Sequence, residues 1–506
     1  MLALRIGLVT AVLAASGLAT PTLANKHGNS VRFAYDQVPE NVDPYFNNVR
    51  IGLIIGQQVW DTLIYRDPKT GHYGGQLATN WKWLDEKTLE FELRKGVTFH
   101  NGAGFDADDV VYTLNFVSKP ENKVVTQQNV NWIDHAEKVD QYKVRVVSKW
   151  PFPAAIEYLA GPVVIMPHEY YARVGPKGMN EKPVGSGPFR VVDHAIGKYI
   201  RLERNPDYFK DSPKQAAKID KLEIRFIPDK QTQVAEMLSG GLDFIMSVAP
   251  DQAGQLRAVP NLKVTSGETM RYVFLQMNTM DNTSAPPLKD IRVRQAINHA
   301  IDRGTMVKQI VGEGARVIDS VCFPEQFGCS HEGAAHYGYD PAKAKQLLAA
   351  AGLPNGFEID FYAYRERDQT EAMISYLRAV GIRANLRFAQ YAAMREAMRA
   401  GKAPLIHQTW GSFSVNDVSA AVSVFHKGTA DDINRDPAVK ALLERGDSSV
   451  DAAVRKEAYA KALALIAERA YAVPLYTLPT YYVAAKELVF TPYSDEIPRF
   501  WEMSYQ

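Results

Sequence analysis

The clearest pattern along the chain is a two-residue alternation. In Lys87-Thr-Leu-Glu-Phe-Glu-Leu-Arg94, Leu89, Phe91 and Leu93 alternate with charged residues, which predicts a strand with one buried and one wet face. Lys95-Gly96 turns the chain, and Val97 and Phe99 resume the alternation before Asn101-Gly102. Upstream, Val31-Arg-Phe-Ala-Tyr35 predicts a buried strand that ends in turns through Pro39 and Asp43-Pro44. Lys221 to Ile227 predicts another strand, and Thr232 to Leu238 a helix. From about residue 285 the period lengthens. Asp340-Pro341 opens a helix as N-cap and first-turn proline, and Gly352 closes it. Between them Ala344, Leu347, Leu348 and Ala351 form one apolar stripe. Asp436-Pro437 to Gly446 repeats the device with Val439, Leu442 and Leu443, and Asp451 to Ala470 places Ala458, Ala462, Leu465 and Ile466 on one face. Phe357 to Tyr364 and Arg383 to Phe388 read as strands between these helices. With no fixed-period repeat, the mixture predicts α/β lobes.

Length and composition sharpen this picture. A chain of 506 residues exceeds one ordinary core, so two lobes or more are expected. Its formal charge of +1, without basic runs, excludes a nucleic-acid partner, which needs clustered Lys and Arg. The 25 Tyr and 7 Trp suit the walls of a polar-ligand cleft as well as ordinary cores. Arg5, the apolar stretch Ile6 to Ala15 and the small residues up to Ala24 have the order of a cleavable signal peptide, residues 1–24. The apolar stretch is too short to span a bilayer. An exported chain permits a disulfide between the two cysteines, Cys322 and Cys329, which flank a Pro- and Gly-containing turn. A thiol metal site would need a second pair of ligands nearby.

Catalytic motifs are missing. There is no phosphate-binding Gly-x4-Gly-Lys-Ser/Thr, and Gly312-Glu-Gly314 lacks the third glycine of a dinucleotide fingerprint. The 11 histidines form no His-Glu-x-x-His. Gly185-Ser186-Gly187-Pro188 reads as a tight turn before a strand rather than a nucleophile elbow. Asp108-Asp109 reads as a solvated helix start. No catalytic residue, metal ligand or cofactor is therefore assigned, and a periplasmic hydrolase, the rival class, lacks its nucleophile or metal constellation.

Several segments together resemble the extracellular solute-binding proteins of family 5, the oligopeptide, dipeptide and nickel-binding components of ABC importers. They include Gln76-Leu-Ala-Thr-Asn-Trp81, Asp85 to Gly102, Phe105-Asp-Ala-Asp-Asp-Val-Val-Tyr112, Asp43-Pro44 and Pro183-Val-Gly-Ser-Gly-Pro-Phe189. Arg204-Asn-Pro-Asp-Tyr-Phe209, Leu288 to Asp302, Tyr339 to Leu348 and Val473-Pro-Leu-Tyr476 follow in the family's order. The resemblance implies a two-lobed α/β periplasmic-binding-protein fold, type II and cluster C-like, with two hinge-crossing segments near Arg271 to Met277 and Pro474 to Tyr482. Lobe I would comprise 25–272 plus 478–506, with an inserted subdomain, and lobe II 273–477. The implied function is non-catalytic capture of a small ligand, foremost a peptide, in the periplasm. The implied partners are an inner-membrane ABC permease and, indirectly, its ATPase, served by a monomer. An opine, a sugar derivative, glutathione, haem or chelated nickel are the alternative ligands.

The resemblance also directs attention to one segment. Relatives place an ammonium-binding Asp three residues after a Trp; in Trp410-Gly-Ser-Phe-Ser-Val-Asn-Asp417 that position is Phe413. Trp410, Asn416 and Asp417 are therefore the candidate ligand contacts, with Asp417 alternatively an Asx turn or N-cap. Arg365 and Arg367, near a strand end, are candidates to pair with a ligand carboxylate.

Overall fold

The alternating segments assemble into one long sheet. A computed structural model describes residues 28–506, apart from the side chain of Phe413; the signal-peptide reading of 1–24 lies outside the described residues. Ten strands form the sheet: β1 (Ser30–Tyr35), β2 (Phe189–Ala195), β3 (Tyr199–Arg204), β4 (Lys221–Phe226), β5 (Phe244–Val248), β6 (Leu262–Met277), β7 (Phe357–Ala363), β8 (Ile382–Phe388), β9 (Leu405–Trp410) and β10 (Ala472–Ala485). Their order is β8-β7-β9-β6-β10-β5-β1-β4-β3-β2. β1 is parallel to β4 and β5, and β7 to β8 and β9; the remaining pairs are antiparallel.

Two strands run through both halves of this sheet. β6 has 16 residues and β10 has 14, and they pair from Leu262 opposite Ala485 to Gln276 opposite Ala472. The register shifts between Glu268 and Tyr272 and again between Val273 and Phe274. Pro479 faces Glu268 and Pro474 faces Phe274 there, so residues without an N–H sit where the ladder is interrupted. Beyond the shifts, Val273, Leu275 and Met277 enter one core with Ile297, Phe361 and Leu475. Tyr272 and Phe274 enter a second core on the opposite face with Phe425 and Tyr459. The period of two buries both faces of β6. A separate core gathers Phe33, Trp60, Phe91, Phe244 and Trp501 at the other end of the sheet.

Local chemistry follows the sequence in most places. In Thr88–Leu93, a strand of a separate four-stranded antiparallel sheet, Leu89, Phe91 and Leu93 are buried and Glu92 is exposed. The Asp340 carboxylate accepts the Lys343 N–H (2.8 Å) to start helix Pro341–Ala350, and Asp436 accepts the Ala438 N–H (2.8 Å) to start Pro437–Ser448. Cys322 and Cys329 are joined, with Cα atoms 5.8 Å apart. Three expectations need correction. Val97 and Phe99 are buried, yet only an isolated bridge, Thr98 with Gly104, forms there. Asp109 is buried rather than solvated, because it completes a capping box and meets His168 at 2.8 Å.

Gly185 and Gly187 are the third. They serve close packing: a Cβ on either would sit 2.0 Å from the Val59 carbonyl oxygen or 2.5 Å from that of Gln58. That packing closes a polar network under helix Arg50–Val59. Asp61 accepts from Ser186 (3.0 Å), Gln76 (2.7 Å) and Tyr208 (3.0 Å) and pairs with the fully buried Lys214 at 3.0 Å. Lys214 also donates to the carbonyls of Gln57 and Trp60, completing the helix end. Three of the quoted family segments therefore meet in one place.

β9 is held by a neutral histidine. His407 shares a 2.7 Å hydrogen bond with Thr370, and burial drives its pKa down to about 3; burial likewise drives His426 down to about 4, against the pull of Asp432. Groups that resist protonation when folded contribute stability that is complete above the ordinary value of 6.5 and is lost as pH falls below it. Unfolding free energy should therefore fall by about 2 kcal/mol per histidine between pH 7 and pH 5. Urea titrations of wild type and His407→Gln check this: the drop should shrink in the variant, and an unchanged drop would contradict the assignment.

Candidate functional site

The cleft wall on the first half begins at a capped turn. Asp43 accepts from the Tyr45 N–H (3.0 Å) and the Tyr171 hydroxyl (2.5 Å), and burial pushes its carboxyl up to about 6. This cap, with Pro44 in the first position, fixes the turn Pro44–Phe46 and so places Asn47, Asn48 and the start of helix Arg50–Val59. On the second half, β7 and β9 run parallel, with Phe361 opposite Leu405. Their carboxyl ends deliver Tyr364, Arg365, Thr409 and Trp410 to one edge, where α/β sheets habitually bind ligands.

Between these walls lies a cavity of about 320 Å³. Pro44, Asn47, Asn48, Arg50, Gln128 and Asn129 line it from one side, and Tyr364, Arg365, Tyr391, Thr409, Trp410 and Ser412 from the other, with Arg271 of β6 between. The Trp410 indole N–H donates to the Ala420 carbonyl (2.8 Å), and its ring meets Phe425 edge-on at 5.2 Å, which fixes it as a wall. The Tyr364 hydroxyl donates to the Thr409 carbonyl (2.7 Å). Gly411 admits the Arg271 stem, since a Cβ there would lie 2.9 Å from Arg271 Cγ.

The loop after Trp410 closes against the first half under strain. Ser412 and Ser414 have φ of 44° and 67°, left-handed values that cost non-glycine residues roughly 1–2 kcal/mol each. Partners hold them: Ser412 accepts from the Gln326 amide (2.9 Å), and Ser414 donates to the Asp495 carbonyl (2.7 Å) and accepts from Arg50 (3.1 Å). Two residues on, the Asn416 N–H donates to Glu157 (2.8 Å), which Arg66 meets at 3.1 Å. Burial opposes the charge on Asp495, yet Arg499 and Arg66 beside it bring its pKa down to about 2.

The sequence candidates separate into two groups. Trp410 and Arg365 line the cavity; Asn416, Asp417 and Arg367 do not. Asp417 is buried, pairs with Arg455 at 2.7 Å and accepts from the Ser419 N–H (3.0 Å) and hydroxyl (2.7 Å), so its carboxylate caps a turn and holds the loop. Arg367 is exposed, meets Glu371 at 2.8 Å and stacks over Phe388. Arg50, Arg271, Tyr364 and Tyr391 were not singled out from sequence. Arg271 stood in the expected hinge segment, the one signal that could have found it.

Breaking a buried ion pair by removing one partner typically costs about 3–5 kcal/mol. Asp417→Asn should accordingly lower the unfolding free energy by about 3 kcal/mol in chemical denaturation. Wild-type stability in that variant would contradict the structural role of the Asp417–Arg455 pair.

Comparison with known proteins agrees with this fold. The family described as "Bacterial extracellular solute-binding proteins, family 5 Middle" matches residues 72–432. The glutathione-binding protein GsiB of Pectobacterium atrosepticum is 27% identical over 401 residues, 78% of this chain and 74% of that protein. The structure of HbpA2 from Haemophilus parasuis aligns with a TM-score of 0.82 at 23% identity, covering 94% of this chain and 100% of that one. A dipeptide-binding protein from Pseudoalteromonas sp. SM9913, in complex with Met-Leu, aligns with a TM-score of 0.73 at 22% identity over 94% and 100% of the two chains. At these identities the structural likenesses establish the shared fold. The chain belongs to the bacterial extracellular solute-binding proteins of family 5.

Proposed function

We propose that this chain is the periplasmic substrate-binding component of an ABC importer, which captures a small solute by closing two lobes and presents it to the membrane permease. The carrying observation is the cavity of about 320 Å³ lined by the segments around Pro44–Arg50 and Gln128–Asn129 on one side, by the ends of β7 and β9 on the other, and by Arg271 of β6 between them. In this reading lobe I is 25–272 plus 478–506, lobe II is 273–477, and β6 and β10 are the hinge. Strands with interrupted registers bend more readily than a continuous ladder, which supports a hinge at Glu268 to Phe274 and Pro474 to Pro479. Ligand that touches both lobes shifts the open–closed equilibrium by its preference for the closed state, and the permease then reads shape. No bond is made or broken.

The cavity sits at the small end of the usual range for small-molecule sites, about 300–1,000 Å³, which supports a solute the size of a short peptide. Glutathione and the dipeptide Met-Leu, which the similar proteins named above bind, are of that scale. An opine, a sugar derivative, haem or chelated nickel remain the competing solutes.

A thermal-shift screen with di- to pentapeptides, glutathione, opines, amino sugars, haem and nickel–histidine tests the reading. A true ligand at 100 times its Kd should stabilise by about 2.7 kcal/mol. Failure of every member to shift the transition would count against solute capture.

A further inference from the structure

The walls of the cleft also indicate which solute it selects, an inference that rests on the capture reading above. Among the described residues that line the cavity there is no aspartate or glutamate, whereas Arg50, Arg271 and Arg365 all do so. The carboxylates nearby are committed elsewhere. Glu496, behind the wall, serves both Arg50 (3.3 Å) and Arg271 (2.9 Å), so two guanidiniums share one buried carboxylate. Glu366 meets Arg365 at 3.2 Å and accepts from the Thr409 hydroxyl at 3.0 Å. Asp417 is held by Arg455, Asp495 by Arg499 and Arg66, and Asp43 by the Tyr45 N–H and the Tyr171 hydroxyl. Three guanidiniums against two carboxylates leave one positive charge at the wall without a counter-charge.

That imbalance decides between ligand charges. A ligand ammonium closed into this cavity would lose its water and meet a like charge with no carboxylate to replace it, which is strongly unfavourable. A ligand carboxylate would find a planar, forked donor in Arg365, Arg271 or Arg50 and amide donors in Asn47, Asn48 and Gln128. Trp410, Tyr364 and Tyr391 would cover the ligand's apolar parts. We propose that the cleft selects a solute of net negative charge, one that presents carboxylates to these arginines and needs no paired ammonium. The chemical class is a short acidic peptide or a small polycarboxylate, both of which offer the same group to the same donors.

Titration calorimetry on the purified protein, at low and high salt, tests this with Glu-Glu, N-acetyl-Glu-Glu, tricarballylate, Ala-Ala amide and Lys-Lys amide. The acidic members should bind, and N-acetylation of Glu-Glu, which removes the ammonium, should strengthen binding rather than weaken it. Added salt should weaken binding. Arg365→Ala should weaken binding about tenfold, and Arg365→Lys, which keeps a charge beside Glu366, should weaken it less. Tricarballylate against Glu-Glu separates a polycarboxylate from a peptide source. Binding of either amide as tight as that of the acids overturns the proposal, and so does a failure of every acidic member to bind. Solution scattering on each complex separates this from the capture reading. An amide that binds with compaction defeats the charge selection alone, and an acid that binds without compaction defeats lobe closure alone.

Discussion

The pairing of β6 with β10 is the interaction on which the rest of the molecule depends. These two strands share backbone hydrogen bonds across both halves of the sheet, and each contributes side chains to cores on either side of the register shifts. Their own backbones are therefore the connection between the halves. The ladder is interrupted opposite Pro474 and Pro479, where the cores separate, and this is the place of the proposed hinge. The Arg271 side chain lines the cavity from that stretch of β6, so the segment proposed to bend also borders the proposed binding site.

Around this pair, buried polar groups are used as fixed supports. Asp61 and Lys214 have no exposed side-chain surface and hold the end of helix Arg50–Val59, whose start carries Arg50 into the cavity. Burial lowers the Lys214 pKa and the neighbouring Asp61 raises it, so the ammonium depends on that partner. Asp417 and Arg455 do the corresponding work beneath the strained Ser412–Ser414 turn. The supports cost stability if broken, and they leave the cavity wall to side chains that can meet a ligand.

Much of this was legible in the sequence, for definite reasons. Alternation over Lys87–Arg94 and the Asp-Pro starts at 340 and 436 encode their own local structure, because a buried face and a side-chain cap need only near neighbours. The cysteine pair was readable because its loop is short. The site was less legible because its roles are set over long separations. Asp417 looks like a ligand group until Arg455, 38 residues later, is brought against it. Gly185 and Gly187 look like turn residues until the end of helix Arg50–Val59 is packed on them. Trp410 stood out through the family segment it opens and Arg365 through its place near a strand end, whereas Arg50 sits in a helix whose direction only the folded turn at Asp43 decides.

Closure about β6 and β10 is the claim most directly open to measurement. Both native cysteines are joined, so single cysteines introduced at the exposed positions Glu86 and Gln346, one on each half, can carry spin labels without competition. Pulsed electron–electron spectroscopy on that protein, with and without a saturating solute, reports the distance across the cleft. A shorter and narrower distribution in the loaded protein is the predicted result. Identical distributions in the two states would contradict a hinge.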